Sequence, residues 1–140
     1  LKPEERAETE AAAAAAAAHG DESALLRERL TRAGINVELG LNYCGGDEGF
    51  FRKMLQMFQA QSGGKKTEII SLYESGNWTD YAIKVHALKS TSLTIGAEAL
   101  SAQAKELELA GKRGDVDFIL AHHAALMCAY DEICAQIAGI

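Results

Sequence analysis

Apolar residues in the second half of the chain recur at alternating steps of three and four. Trp78, Tyr81, Val85, Leu88, Ser92 and Ile95 step by 3, 4, 3, 4 and 3, and Ile119, His123, Leu126, Tyr130, Ile133 and Ile137 step by 4, 3, 4, 3 and 4. Such spacing puts each set on one stripe of an α-helix and builds the seam of nearly antiparallel helices in a bundle. Between these two runs, Leu100, Ala104, Leu107 and Ala110 form a third stripe that ends at Gly111 or Gly114. Strand-like alternation occurs nowhere, and the single proline (Pro3) argues against the turn-rich grammar of sandwiches and barrels. The expected fold is all-α, an up-down antiparallel four-helix bundle with additional short N-terminal helices.

At 140 residues the chain suits one domain. Residues 1–21 carry several charges and then eight consecutive alanines, Ala11 to Ala18. Alanine favours helix, but a stretch without larger apolar side chains has nothing to dock on a core. This segment reads as a linker to something upstream, consistent with a chain that opens on Leu, and the domain is expected over 22–140. Leu26 and Leu30 lie one turn apart, with Gly34 as the stop, and a short amphipathic turn from Asn36 carries Val37 and Leu41 to Gly45-Gly46. Asp47 is a natural N-cap for a helix with Phe51, Met54, Leu55 and Phe58 on one face. Gly63-Gly64 is expected to break that helix, and a further segment from Lys65 to Ser75 places Ile69, Leu72 and Tyr73 on one side. Asn77 with Asp80 resembles a capping box, and Asp115 caps the last helix.

Composition removes several function classes. A net charge of −6 and a pI near 5.2 argue against a nucleic-acid partner, which would need a basic face. No apolar run approaches the roughly 20 residues of a membrane span, and the acidic N-terminus lacks the basic region of a signal peptide. Three cysteines (Cys44, Cys128, Cys134) without a CxxC pair read as buried, reduced thiols of a cytoplasmic protein. His122 and His123 point about 100° apart with no acidic residue one turn away, so no metal site is expected. His123 falls on the core stripe and reads as a hydrogen-bonded residue at the core boundary. With no GxxxxGK[ST] loop and no kinase motifs, neither an ATP site nor autokinase activity is expected.

One histidine falls on the wrong face. If Val85 and Leu88 point to the core, His86 points outward at the edge of the stripe, among Ala82, Ile83, Lys89, Ser90 and Leu93. A nucleophilic imidazole needs solvent access, a cation near the incoming phosphoryl group and room for the donor. Lys89, three residues on, can supply the charge, and Ser90 is small. Residue chemistry alone leaves two readings open: an ordinary surface histidine, or a phosphoryl-accepting or anion-binding site.

The run His86-Ala87-Leu88-Lys89-Ser90-Thr91-Ser92, followed by Ile95-Gly96-Ala97, Leu100 and Leu107-Glu108, closely resembles a histidine-containing phosphotransfer (HPt) domain. Upstream, Gly34 to Leu41 and Gly46-Asp47 are also similar to that family, and the resemblance covers about Glu22 to Ile140. It implies that His86 is phosphorylated, that Lys89 helps to hold the phosphoryl group, and that Glu108 hydrogen-bonds the imidazole and leaves Nε2 as the nucleophile. Ser90 stands where the family has Gly or another small residue, and Lys112 and Arg113 stand where basic residues often border the site. The implied function is that of a carrier in a two-component phosphorelay, taking a phosphoryl group from a receiver-domain aspartyl phosphate and passing it to another receiver's Asp. No cofactor of its own is implied, Mg²⁺ being expected on the receiver. The alanine-rich linker suits the C-terminal module of a hybrid sensor kinase.

For docking, Ile83 and Leu93 offer apolar contacts, Ser90 gives room, and Lys84, Lys89, Lys105, Lys112 and Arg113 reverse the sign of the acidic chain locally. Four helices can close a core without a second copy, so a monomer is expected. The rival from another class is a non-catalytic helical adaptor that binds receiver domains or other partners, but it would have no reason to keep both His86 and Lys89. A histidine-kinase dimerisation domain usually has an acidic residue after its histidine, and here Ala87 follows.

Overall fold

The computed structural model describes residues 24–140, so the linker expected over 1–21 and the domain start expected at Glu22 lie outside the described residues. Short polar side chains set most of the helix starts. Asn36, Asp47, Asn77 and Asp115 each accept a hydrogen bond from the backbone N–H three residues on, which satisfies one of the free donors of a first turn. Asn77 also donates through Nδ2 to Asp80 at 2.8 Å, completing the expected box. The described helices are α1 over 24–32, α2 (Val37–Tyr43), α3 (Glu48–Ser75), α4 (Trp78–Thr94), α5 (Glu98–Arg113) and α6 (Val116–Ile137).

Connections of two or three residues fold α3 to α6 into an up-down antiparallel bundle. Each packs on its chain neighbour, α6 closes against α3, and the diagonal pairs stay apart, so the four helices form a square. Tyr81, Val85, Leu88, Ser92 and Ile95 are buried, as are all six members of the α6 stripe and all four of the α5 stripe. Trp78 departs from the expected seam: it is half-buried at the end of the bundle, edge-on to Tyr73 and Tyr81.

A larger correction concerns α3. The helix runs unbroken for 28 residues through Gly63 and Gly64, where a break was expected. Its buried stripe of Phe51, Leu55, Phe58, Ser62 and Ile69 crosses the glycines in one helical phase. Both glycines are exposed, and a Cβ at either would meet nothing within 4 Å. Each costs about 1 kcal/mol relative to alanine, which the packing of the stripe on α4 and α6 outweighs.

The short helices dock on one end of this bundle. Gly96, between α4 and α5, has φ +83° and accepts from the Asn36 N–H at 2.7 Å, and a Cβ there would lie 2.1 Å from the Asn36 carbonyl oxygen. Only glycine allows that conformation and that approach. The C-terminus is tied to α1 and α3, where Arg29 donates to the Ala138 carbonyl and Gln56 to that of Ile140.

Candidate functional site

The phase of α4 is fixed by the burial of Tyr81, Val85 and Leu88, and this leaves the His86 side chain 54% exposed. On α5, Leu107 and Ala110 turn fully inward and carry Glu108, beside them, into the α4–α5 interface, where it is buried. A buried carboxylate is costly unless it is well partnered. Glu108 has three partners. Its Oε1 and Oε2 stand 2.8 and 3.0 Å from His86 Nδ1, Oε2 accepts from Lys89 Nζ at 3.0 Å, and Oε1 accepts from Lys112 Nζ at 3.0 Å. Burial alone would raise its pKa, but the bonds from His86, Lys112 and Lys89 more than reverse this and hold the carboxyl down at about 2.

An ionised carboxylate can only accept, so the hydrogen between it and the imidazole belongs to Nδ1. In the neutral ring the lone pair then sits on Nε2. Lys89 and Lys112 counted against Glu108 leave one net positive charge around the imidazole. Such an arrangement can present a nucleophilic nitrogen to an anionic electrophile.

Close packing holds the two helices in this register. Gly111 lies one turn beyond Glu108 and Ala82 one turn before His86, and a Cβ on Gly111 would stand 3.0 Å from the Ala82 Cβ and 3.1 Å from the Trp78 carbonyl oxygen. Farther along, Ser101 Oγ donates to the Lys89 carbonyl at 2.9 Å. A groove of about 450 Å³ follows this seam, lined by Thr79, Ala82, Ile83, His86, Gly111 and Lys112.

The residues singled out in the sequence are only partly gathered here. Ile83 is 60% exposed on the groove, and Lys112, expected to meet a partner, is bound to Glu108. Ser90 is exposed beside the site, its hydroxyl donating to the His86 carbonyl at 3.3 Å. Leu93 is half-buried and does not line the groove. Lys84 lies on the α3 side of α4, paired with Glu68 at 3.0 Å. Arg113 pairs with Asp115 at 3.2 Å and covers Phe118, and Lys105 is exposed one turn before Glu108. Ala82 was expected on the outward ridge and is instead buried against α5, because the missing side chain of Gly111 lets the helices close over it.

Away from the site, His123 is buried, shares a 2.8 Å hydrogen bond with the Tyr81 hydroxyl and stacks on Tyr73 at 3.8 Å. Burial lowers its pKa and so favours the uncharged ring. Cys44 and Cys134 are buried, and burial raises both thiols, but Cys128 is exposed, against expectation. Among the described residues no group of three or more His, Cys, Asp or Glu is gathered to hold a metal ion, and no helix is long and apolar enough to cross a membrane.

Comparison with curated proteins and with solved structures finds no match. The profile of the Hpt domain matches residues 53–138, which takes in α4, α5 and α6 whole and most of α3. That span is more than half the chain and contains His86, Lys89, Glu108 and Lys112, so the chain belongs to the Hpt domain family, the histidine phosphotransfer modules that work with receiver domains in two-component phosphorelays.

Proposed function

We propose that His86 is the residue that carries the phosphoryl group, with Glu108 as its orienting partner and Lys89 and Lys112 as the local positive charge. One observation carries this reading: His86 is half-exposed while its Nδ1 is held by both oxygens of a buried carboxylate, which leaves Nε2 as the free nucleophile. Phosphoryl transfer depends mostly on positioning and charge neutralisation, and this site supplies an oriented nitrogen, cations and an open flank. The receiver supplies the phosphorylated aspartate and a Mg²⁺ ion, and the present domain acts as a monomer with no cofactor of its own. Ile83 and the groove beside His86 meet the receiver, and Ser90 keeps the approach clear.

Incubation with a phosphorylated receiver should label the protein with acid-labile, base-stable phosphate, and His86→Gln should abolish the label. A variant labelled as well as the wild type would show that another residue is the acceptor. A protein that binds phosphorylated receivers and takes no label would be an adaptor.

A further inference from the structure

The site holds one buried carboxylate and two lysines, and the lysines are not equivalent. Both stand 3.0 Å from Glu108, but the Lys89 side chain is 26% exposed and that of Lys112 is 62% exposed. Lys112 lines the groove beside His86, and Lys89 does not. A phosphoryl group on Nε2 brings about two negative charges to a place where both ammonium groups are already engaged. Glu108 is 3% exposed, and until the N–P bond forms the attacking ring carries no charge, so one lysine has to stay on the carboxylate while the other meets the incoming phosphoryl group.

Resting on the reading of His86 as the acceptor, we propose that Lys112 is the cation that turns from Glu108 to the phosphoryl group, while Lys89 stays on the carboxylate and so keeps the imidazole in place. The resemblance in sequence points to Lys89 for the first task, whereas exposure and position on the groove point to Lys112. In the forward step the Nε2 lone pair forms the N–P bond as the P–O bond to the donor breaks, and that bond's electron pair leaves on the donor oxygen. The Nδ1 proton stays where it is, shared with Glu108, and the positive charge on the ring faces the carboxylate. In the reverse step a receiver carboxylate attacks phosphorus and the ring leaves as neutral imidazole. No proton has to be exchanged with solvent in either direction. What changes is the charge at the phosphoryl oxygens, which Lys112 meets.

The test uses phosphoramidate as a small donor, so that receiver docking plays no part, with phosphohistidine followed over time. Lys112→Met, which keeps the apolar stem, should slow labelling about tenfold. It should also flatten the dependence of the rate on ionic strength and leave the thermal midpoint within about 2 °C of the wild type. Lys112→Arg should restore most of the rate. Lys89→Met should instead lower the midpoint by about 5 °C or more, since it strips the buried carboxylate of its more sheltered cation. Wild-type labelling with Lys112→Met at the wild-type rate would overturn this proposal alone, and so would Lys89→Met with an unchanged midpoint. A wild-type protein that takes no label would overturn the reading of His86 and this proposal with it.

Discussion

Gly111→Ala separates two effects of opposite sign. In an ordinary helix interior, replacing glycine by alanine stabilises by about 1 kcal/mol. At Gly111 the added methyl would stand 3.0 Å from the Ala82 Cβ and 3.1 Å from the Trp78 carbonyl oxygen. Non-bonded carbons prefer roughly 3.5–4.0 Å, so α4 and α5 would have to part by about half an ångström. Neither neighbour is the end of a flexible side chain that could swing aside. Overpacking of this kind costs about 1–3 kcal/mol, which cancels or exceeds the helical gain. The net expectation is a change between zero and about 2 kcal/mol of destabilisation. Because Gly111 lies one turn from Glu108 on the same interface, the separation would also stretch the 2.8 and 3.0 Å contacts to His86 Nδ1. Labelling by phosphoramidate should therefore fall several-fold, more than the loss of folded protein explains. Urea denaturation gives the stability and the labelling time course gives the rate. A variant about 1 kcal/mol more stable than the wild type, with an unchanged rate, would refute the claim that this glycine sets the spacing of the site.

Two further perturbations address the carboxylate and the turn. Glu108 titrates at about 2 in the folded chain against an ordinary 4.5, so its contribution to stability is complete above pH 4.5 and is lost as the pH falls towards 2. Screening by solvent brings that contribution to the order of 2 kcal/mol. Glu108→Gln should make the acid limb of the stability–pH curve shallower in urea titrations, and a limb parallel to the wild type would refute the account of Glu108. Gly96→Ala should destabilise by about 2 kcal/mol or more, because its Cβ would collide with the Asn36 carbonyl in a backbone conformation that alanine resists. A urea midpoint equal to that of the wild type would contradict the docking of α2 on the α4–α5 turn.

The stripes of α4, α5 and α6 were legible because antiparallel seams repeat at three and four residues, and nearly every member is buried. The outward direction of His86 followed from the same phase. Gly63-Gly64 reads as a break because local propensity sees the pair and not the stripe that runs past it. Phe58, Ser62 and Ile69 stay in one phase across the pair, but a serine and the half-buried Lys65 and Lys66 interrupt its apolar signal. Lys84 could have been placed from the sequence, since two residues on a helix lie about 200° apart and it had to face away from His86. The lysine pair on Glu108 was also partly readable, Lys112 being four residues on and able to reach back. What the sequence did not disclose is the close contact of Gly111 with Ala82, because an inter-helix distance leaves no periodic trace in one chain.

The two-pronged hold of Glu108 on Nδ1 has a consequence for geometry as well as charge. A ring latched on one edge cannot flip, so with His86 as the proposed acceptor the site would make a single regioisomer, with the phosphorus on Nε2. This carrier is a fixed post and not a swinging arm. If His86 is the acceptor proposed above, movement between donor and acceptor falls to whole domains arriving and departing.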